Sequence, residues 1–289
     1  MTVDHGHNLL GSPRRARAGL GLAALLLVAA GLAGLPFVAR AENGGLRDFC
    51  AERPGKATPA CVVDKGHVLA EVDLLDIAHS SDGAVATRTT LAFSPHLRLG
   101  LTDRMEAGIT LVPFTETRTS GDPSVRPVVR GTGDTVIDLK FSLRNPDGSA
   151  PSVALMPFVT VPTAQHGLGA GGFQGGVIAP VALALPSGFS LGLDPELDLN
   201  RDGAGGVRPA YVIAAALGHA LAPGLSGGVE LWANWSHAPQ GWQRQASADA
   251  SLAWIPKTHP NLQLDAGVNL GLTHETPGVQ GYVGISRRF

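Results

Sequence analysis

The chain has 289 residues, long enough for one large domain with a sizeable core. Lys and Arg number 22 against 24 Asp and Glu, so no basic excess predicts a nucleic-acid partner. The 38 glycines and 21 prolines indicate many turns, and 44% of residues are hydrophobic although no long apolar run follows residue 40. These features are typical of many strands in which apolar and polar residues alternate.

The first 41 residues are organised like a secretory signal peptide. Arg14, Arg15 and Arg17 precede the uncharged run 19–39, which leads into a small-x-small end at residue 41. An uncleaved membrane anchor is the alternative, because the run is about long enough to cross a bilayer. Its four glycines and Pro36 weaken a stable helix, so the sequence favours a signal peptide over 1–41.

The only two cysteines, Cys50 and Cys61, lie in a Pro- and Gly-rich segment over 42–66. An even pair in an oxidising compartment predicts one disulfide. A metal site is the weaker alternative, because His67 is the only histidine nearby and no Cys-x-x-Cys is present. We therefore expect 42–66 to be a periplasmic segment closed by a disulfide.

From residue 67 to the C-terminus the chain shows repeated alternation of apolar and polar residues. In the clearest stretch, 135–144, the odd positions are apolar from Ile137 to Leu143 and the even positions from Asp138 to Arg144 are polar. A period of two is the pattern of a half-buried strand, and an apolar face toward lipid with a polar face toward water is typical of an outer-membrane barrel. Twelve such segments predict an all-β, transmembrane antiparallel β-barrel over 67–289, in the outer membrane of a Gram-negative bacterium.

The connections between these segments alternate in length. Short turns follow the even-numbered segments, whereas longer stretches follow the odd-numbered ones, at 115–134, 163–176, 201–209 and 237–244. Short periplasmic turns and longer outer loops are the expected asymmetry of such barrels. The four longer stretches are therefore predicted to be outer loops.

Several short motifs, from about residue 52 to the end, resemble one known family. They are Glu52-Arg53-Pro54-Gly55, Thr58-Pro59-Ala60-Cys61-Val62-Val63-Asp64-Lys65-Gly66-His67, Gly100-Leu101-Thr102-Asp103-Arg104-Met105-Glu106, Gly133-Asp134, Val159-Thr160-Val161-Pro162-Thr163 and 278–289. On these motifs the chain resembles the outer-membrane proteins named for the meta-pathway of phenol degradation, which are often called transporters. The resemblance implies a single barrel and the passage of small, aromatic or hydrophobic molecules.

The inward face of the predicted strands carries charges of both signs. Two interpretations remain open: a wet pore that favours cations, because carboxylates dominate, or paired charges that fill a narrow barrel. Residues 42–66 are a candidate obstruction, and small residues at Ala182, Ala184, Ser247 and Ser251 leave room on one side of the lumen. The candidate lumen-lining residues are Glu71, Asp73, Arg98, Asp138, Lys140, Arg144, Asp194, Glu196, Asp198, Glu230, Asp249 and Asp265.

We expect a channel or transporter rather than an enzyme. Ser236 and His237 are adjacent, which on a strand points them to opposite faces, and no Gly-x-Ser-x-Gly motif occurs. The sequence predicts no catalytic set, cofactor or metal site. The expected partners are outer-membrane lipid, the barrel-assembly machinery and a small-molecule solute. A lipid-acting enzyme and a closed structural or adhesive barrel are the alternatives.

Overall fold

The computed structural model describes residues 45–289, apart from 123, 125, 166, 202–205, 239–240 and the side chain of Ala238. The predicted signal peptide, 1–41, lies outside the described residues, as does the beginning of the predicted periplasmic segment. All described residues belong to one unit, Ala39–Phe289. In this part of the chain no helix is long and apolar enough to cross a membrane.

The alternating sequence forms extended strands from Val68 to Arg288, and a short 3₁₀ turn lies at Pro186–Gly188. The strands are β1 (Val68–Asp82), β2 (Val85–Thr102), β3 (Met105–Thr110), β4 (Thr115–Ser120), β5 (Val128–Gly131), β6 (Thr135–Arg144), β7 (Ser152–Val161), β8 (Gln174–Ile178), β9 (Val181–Ala184), β10 (Phe189–Arg201), β11 (Val207–Ala222), β12 (Leu225–Ala238), β13 (Gly241–Trp254), β14 (Leu262–Gly271) and β15 (Val279–Arg288).

The sheet closes on itself, because β1 pairs antiparallel with both β2 and β15. Three of the barrel's strands are each broken into two shorter segments. β3 and β4 together cross the barrel wall once, as do β5 and β6, and β8 and β9. Pro113 and Pro180 lie in two of these breaks, where a missing N–H removes a ladder hydrogen bond. The result is a closed antiparallel barrel of 12 strands, which confirms the predicted fold.

Apolar side chains cover the outside of the barrel and polar side chains face its interior. On β15, Val279 and Val283 are 43% and 44% exposed, whereas Tyr282 and Ser286 on the opposite face are buried. The same division holds on β12, where Val229 and Leu231 are exposed and Glu230 is buried. An apolar exterior of this kind meets lipid.

The two ends of the barrel differ. At the terminal end β1 begins and β15 ends; the opposite end is called the loop end. The strands extend further into 115–134 and 237–244 than predicted, because much of both stretches lies in β4, β5, β12 and β13. The position of these stretches on the outer side stays a prediction. These hairpins carry polar residues on both faces, so their sequences do not alternate between apolar and polar residues. The backbone pairing nevertheless continues along them.

Candidate functional site

The N-terminal segment, residues 45–66, lies inside the barrel. A disulfide joins Cys50 to Cys61, which confirms the predicted pairing. The ring that it closes, residues 50–61, is called the plug loop. The segment contacts inward side chains on opposite sides of the barrel, from Glu71 on β1 to Asp194 on β10. It therefore spans the lumen.

A fully buried ion network holds the base of the plug loop. The Arg98 guanidinium donates to Glu71 Oε1 at 2.8 Å, to Glu106 Oε1 at 2.7 Å and to the backbone oxygen of Cys50 at 2.8 Å. Lys140 Nζ lies 3.2 Å from Glu106 Oε1. Arg98, Lys140 and Glu106 have no exposed side-chain surface, so each charge depends on the others for compensation.

The plug loop contributes Glu52 to this network. Its carboxylate accepts a hydrogen bond from Lys140, and it lies 3.4 Å from Arg98 Nε and 3.3 Å from His96 Nδ1. Burial alone would raise the pKa of Glu52, but Arg98 and Lys140 hold it well below its usual range. Glu52 is therefore ionised at neutral pH, and its charge attracts the plug loop to the wall.

Two cations of the plug loop, Arg53 and Lys56, bind inward side chains of β1 and β14. Arg53 forms an ion pair with Asp73, and its Nη2 lies 2.8 Å from Asp265 Oδ1. Gly284 provides the space for this side chain, since a Cβ there would lie 2.3 Å from Arg53 Nε. Lys56 Nζ donates to Asn269 Oδ1 at 2.7 Å. The loop is thus anchored to β1, which follows it closely in sequence, and to β14, which lies more than 200 residues away.

Wall carboxylates also bind the backbone of the N-terminal segment. Glu71 Oε2 accepts from the N–H groups of Glu52 and Arg53, at 2.9 and 3.1 Å. Glu230 Oε2 accepts from Ala57 N–H at 2.8 Å. Asp194 and Glu106 accept from Thr58 and Val63 in the same way. A buried segment without regular structure needs such acceptors for its N–H groups, and these carboxylates provide them.

The sequence-predicted lining residues lie at three levels of exposure. Asp73, Glu196 and Asp198 are half-buried, and Arg144 is exposed at the end of β6, where the register with β7 shifts. Glu71, Arg98, Asp138, Lys140, Asp194, Glu230, Asp249 and Asp265 are buried. Their lining of a conducting lumen stays a prediction.

Most of these charged side chains form hydrogen bonds or ion pairs with the N-terminal segment. Asp138 instead pairs with His96, and Asp249 accepts a hydrogen bond from Tyr282. The residues that bind the segment directly are Glu71, Asp73, Arg98, Lys140, Asp194, Glu230 and Asp265.

Sequence reasoning missed several inward groups. Asp76 accepts a hydrogen bond from Gln280, although strict alternation from Asp73 would turn it outward. A register shift between Asp73 and Leu75 reverses the alternation at that point. Two consecutive leucines, Leu74 and Leu75, were the only sequence signal. Glu106 was missed because Ala and Gly follow it on a strand of six residues, which hides the polarity pattern.

A cavity of about 320 Å³ remains between the plug loop and one side of the wall. Pro54 and Ala57 of the plug loop line it on one side. Small inward residues of β10 to β13 line the other side, among them Ser190, Ala216, Gly218, Gly228 and Ser251. Ser247 and Ser251 were both expected to leave room in the lumen. Ser251 lines the cavity, whereas Ser247 accepts a hydrogen bond from Lys56.

No metal site is formed by His, Cys, Asp or Glu within the described ranges. Ser236 and His237 are consecutive residues of β12, and their cross-strand partners are Gln243 and Trp242. The His237 ring makes an edge contact with Trp242, with 5.3 Å between ring centroids. Side chains of successive strand residues point to opposite faces, so this pair is poorly arranged for nucleophilic catalysis.

A closed barrel with an apolar exterior and a polar, loop-filled interior is an outer-membrane β-barrel protein. The family model described as "Putative MetA-pathway of phenol degradation" matches residues 51–289. The chain therefore belongs to this family, and the resemblance seen in the sequence is confirmed. No curated protein matches the sequence.

Two solved structures share the fold. One is the COG4313 outer membrane channel from Pseudomonas putida F1, with 16% identity over 82% of this chain and 99% of that chain, at a TM-score of 0.62. The other is the β domain of the Bordetella autotransporter BrkA, with 12% identity over 77% of this chain and 99% of that chain, at a TM-score of 0.52. A channel and an autotransporter domain thus share this architecture, so the function must be argued from the lumen.

Proposed function

We propose that this protein is an outer-membrane channel for the passive passage of small molecules, with a route that runs beside the plug loop. The cavity of about 320 Å³ between Pro54, Ala57 and the wall supports this proposal most directly. Its volume is at the lower end of the range of small-molecule sites. The route is narrow because Pro54 and Ala57 of the plug loop form one side of it.

The lining of the cavity favours uncharged solutes over ions. Its wall is built of small residues such as Ala216, Gly218 and Ser251, with Glu230 as the carboxylate among them. Glu230 already accepts backbone hydrogen bonds from the plug loop, so its charge is partly compensated. The family description names phenol degradation, which supports including phenol among the uncharged solutes that are tested.

A channel is a better proposal than a lipid-acting enzyme or a closed barrel. An enzyme needs a nucleophile within hydrogen-bonding reach of its base, and Ser236 and His237 do not meet that need. A closed structural barrel needs no space beside the plug loop. The cavity at β10 to β13 therefore supports a channel over a closed barrel, and the arrangement of Ser236 and His237 supports a channel over an enzyme.

Filling the cavity should close the route. Ala216→Phe places a large side chain in the cavity, and Ala215→Phe is the matched control because its side chain faces the membrane on the same strand. We expect Ala216→Phe to slow the entry of uncharged solutes into proteoliposomes severalfold, while Ala215→Phe leaves it unchanged. Equal flux in Ala216→Phe and wild type would exclude this route, and no flux through the wild type would exclude the channel.

A further inference from the structure

Three arginines lie together on the outside of the barrel at the loop end. Arg88 on β2 is directly opposite Arg118 on β4, and Arg130 on β5 is directly opposite Glu116 on β4. Their outward direction follows from the register, because Arg88 pairs with His79 and the outward Leu75 lies on the same face of β1. The group Arg88, Arg118 and Arg130 is called the outer arginine cluster.

The outer arginine cluster lies just beyond the apolar band. Outward residues of β2 are apolar from Leu101 to Ala92, and Thr90 and Arg88 follow. A tilted strand crosses the hydrocarbon layer in about 9–11 residues, so Arg88 is at the level of the lipid headgroups. The connection over 162–173 is the longest one and leaves the loop end. Long connections are extracellular in such barrels, which assigns the cluster to the outer leaflet.

The charge of the cluster is only partly compensated. Glu116 accepts hydrogen bonds from the Nε atoms of both Arg118 and Arg130, so the Nη atoms of both guanidinium groups are left for another acceptor. Arg88 has no ion pair with any residue in the described part of the chain. Three cations and one carboxylate leave a net positive charge. Like charges directly opposite each other on neighbouring strands are destabilising. An anion bound between Arg88 and Arg118 would therefore reduce their repulsion.

We propose that the outer arginine cluster binds the phosphate groups of a lipid in the outer leaflet. A guanidinium group matches the geometry of phosphate oxygens through paired N–H donors. The cluster faces the membrane rather than the lumen, and it lies at the depth where lipid phosphates lie. A lipid with two phosphates suits a site with Arg88 on one side of Arg118 and Arg130 on the other.

The test measures binding of diphosphoryl lipid A to the folded protein in an uncharged detergent by native mass spectrometry. The triple variant R88Q/R118Q/R130Q is compared with R104Q/R144Q/K257Q, which removes the same charge from exposed positions at the terminal end. Each cation near anionic lipid contributes about a fivefold gain in affinity, so we expect a loss of about a hundredfold in the first variant and little change in the second. Equal losses in both variants, or no loss in the first, would overturn the proposal.

Two further binding measurements identify the ligand. Lipid A without its phosphates should bind wild type and the cluster variant equally weakly, and inorganic phosphate at the same concentration should not displace diphosphoryl lipid A. Strong binding of the dephosphorylated lipid or displacement by phosphate would contradict a lipid phosphate site. If the triple variant does not fold, R88Q alone serves. It should bind the lipid about fivefold more weakly and, without lipid, be at least as stable as wild type.

Discussion

Replacing Arg98 with Met is expected to lower the free energy of unfolding by about 3–5 kcal/mol. Arg98 is fully buried and donates to Glu71, to Glu106 and to the backbone oxygen of Cys50. Without it, three carboxylates including Glu52 face one another with Lys140 as the main remaining cation. The loss is large because removing one partner leaves buried charges uncompensated.

Unfolding of Arg98→Met can be followed in detergent by tryptophan fluorescence against urea concentration. Arg104→Met is the control, because Arg104 is exposed in the turn between β2 and β3. Arg98→Lys should be intermediate, since it keeps the charge but loses the fork of N–H donors. A midpoint for Arg98→Met equal to that of Arg104→Met would show that the network does not stabilise the barrel.

Replacing both cysteines with Ser is expected to release the plug loop without unfolding the barrel. The disulfide closes a ring across a sequence separation of 11 residues, and a ring of this size restricts the free chain by about 3 kcal/mol in the chain-entropy model. The ratio of released to bound loop should therefore rise about a hundredfold in Cys50→Ser/Cys61→Ser. The barrel keeps its strand ladders, which do not involve either cysteine.

The released loop should be detected as more frequent open events in single-channel recordings. Reductant added to the wild type should reproduce the effect of the double variant, and reductant added to the double variant should change nothing. Unchanged recordings in the double variant would mean that Glu52, Arg53 and Lys56 alone hold the loop in place.

The barrel could be predicted from the sequence because each strand carries its own signal. In residues 137–144 of β6 and in β14 the apolar residues alternate with polar residues or glycine, and lipid outside with polar groups inside requires that alternation. The signal failed at Leu74, where a shift of one residue reverses the faces, and in the hairpin of β4 and β5, where polar residues lie on the outward face as well.

The contacts of the plug loop could not be predicted from local patterns. Arg53 binds Asp265, and Lys56 binds Asn269, across more than 200 residues of sequence. The loop has no periodicity, because it takes its hydrogen-bond partners from the wall rather than from its own backbone. The sequence identified the segment and its disulfide, whereas only the closed barrel shows which wall charges it meets.

Single-channel conductance in a planar bilayer, for the wild type beside a variant that lacks residues 42–66, tests the role of the plug loop most directly. We expect a small conductance for the wild type and a much larger one for the variant, because the segment spans the lumen from Glu71 on β1 to Asp194 on β10. Equal conductance in both proteins would contradict a plug, and no conductance in either would contradict a channel.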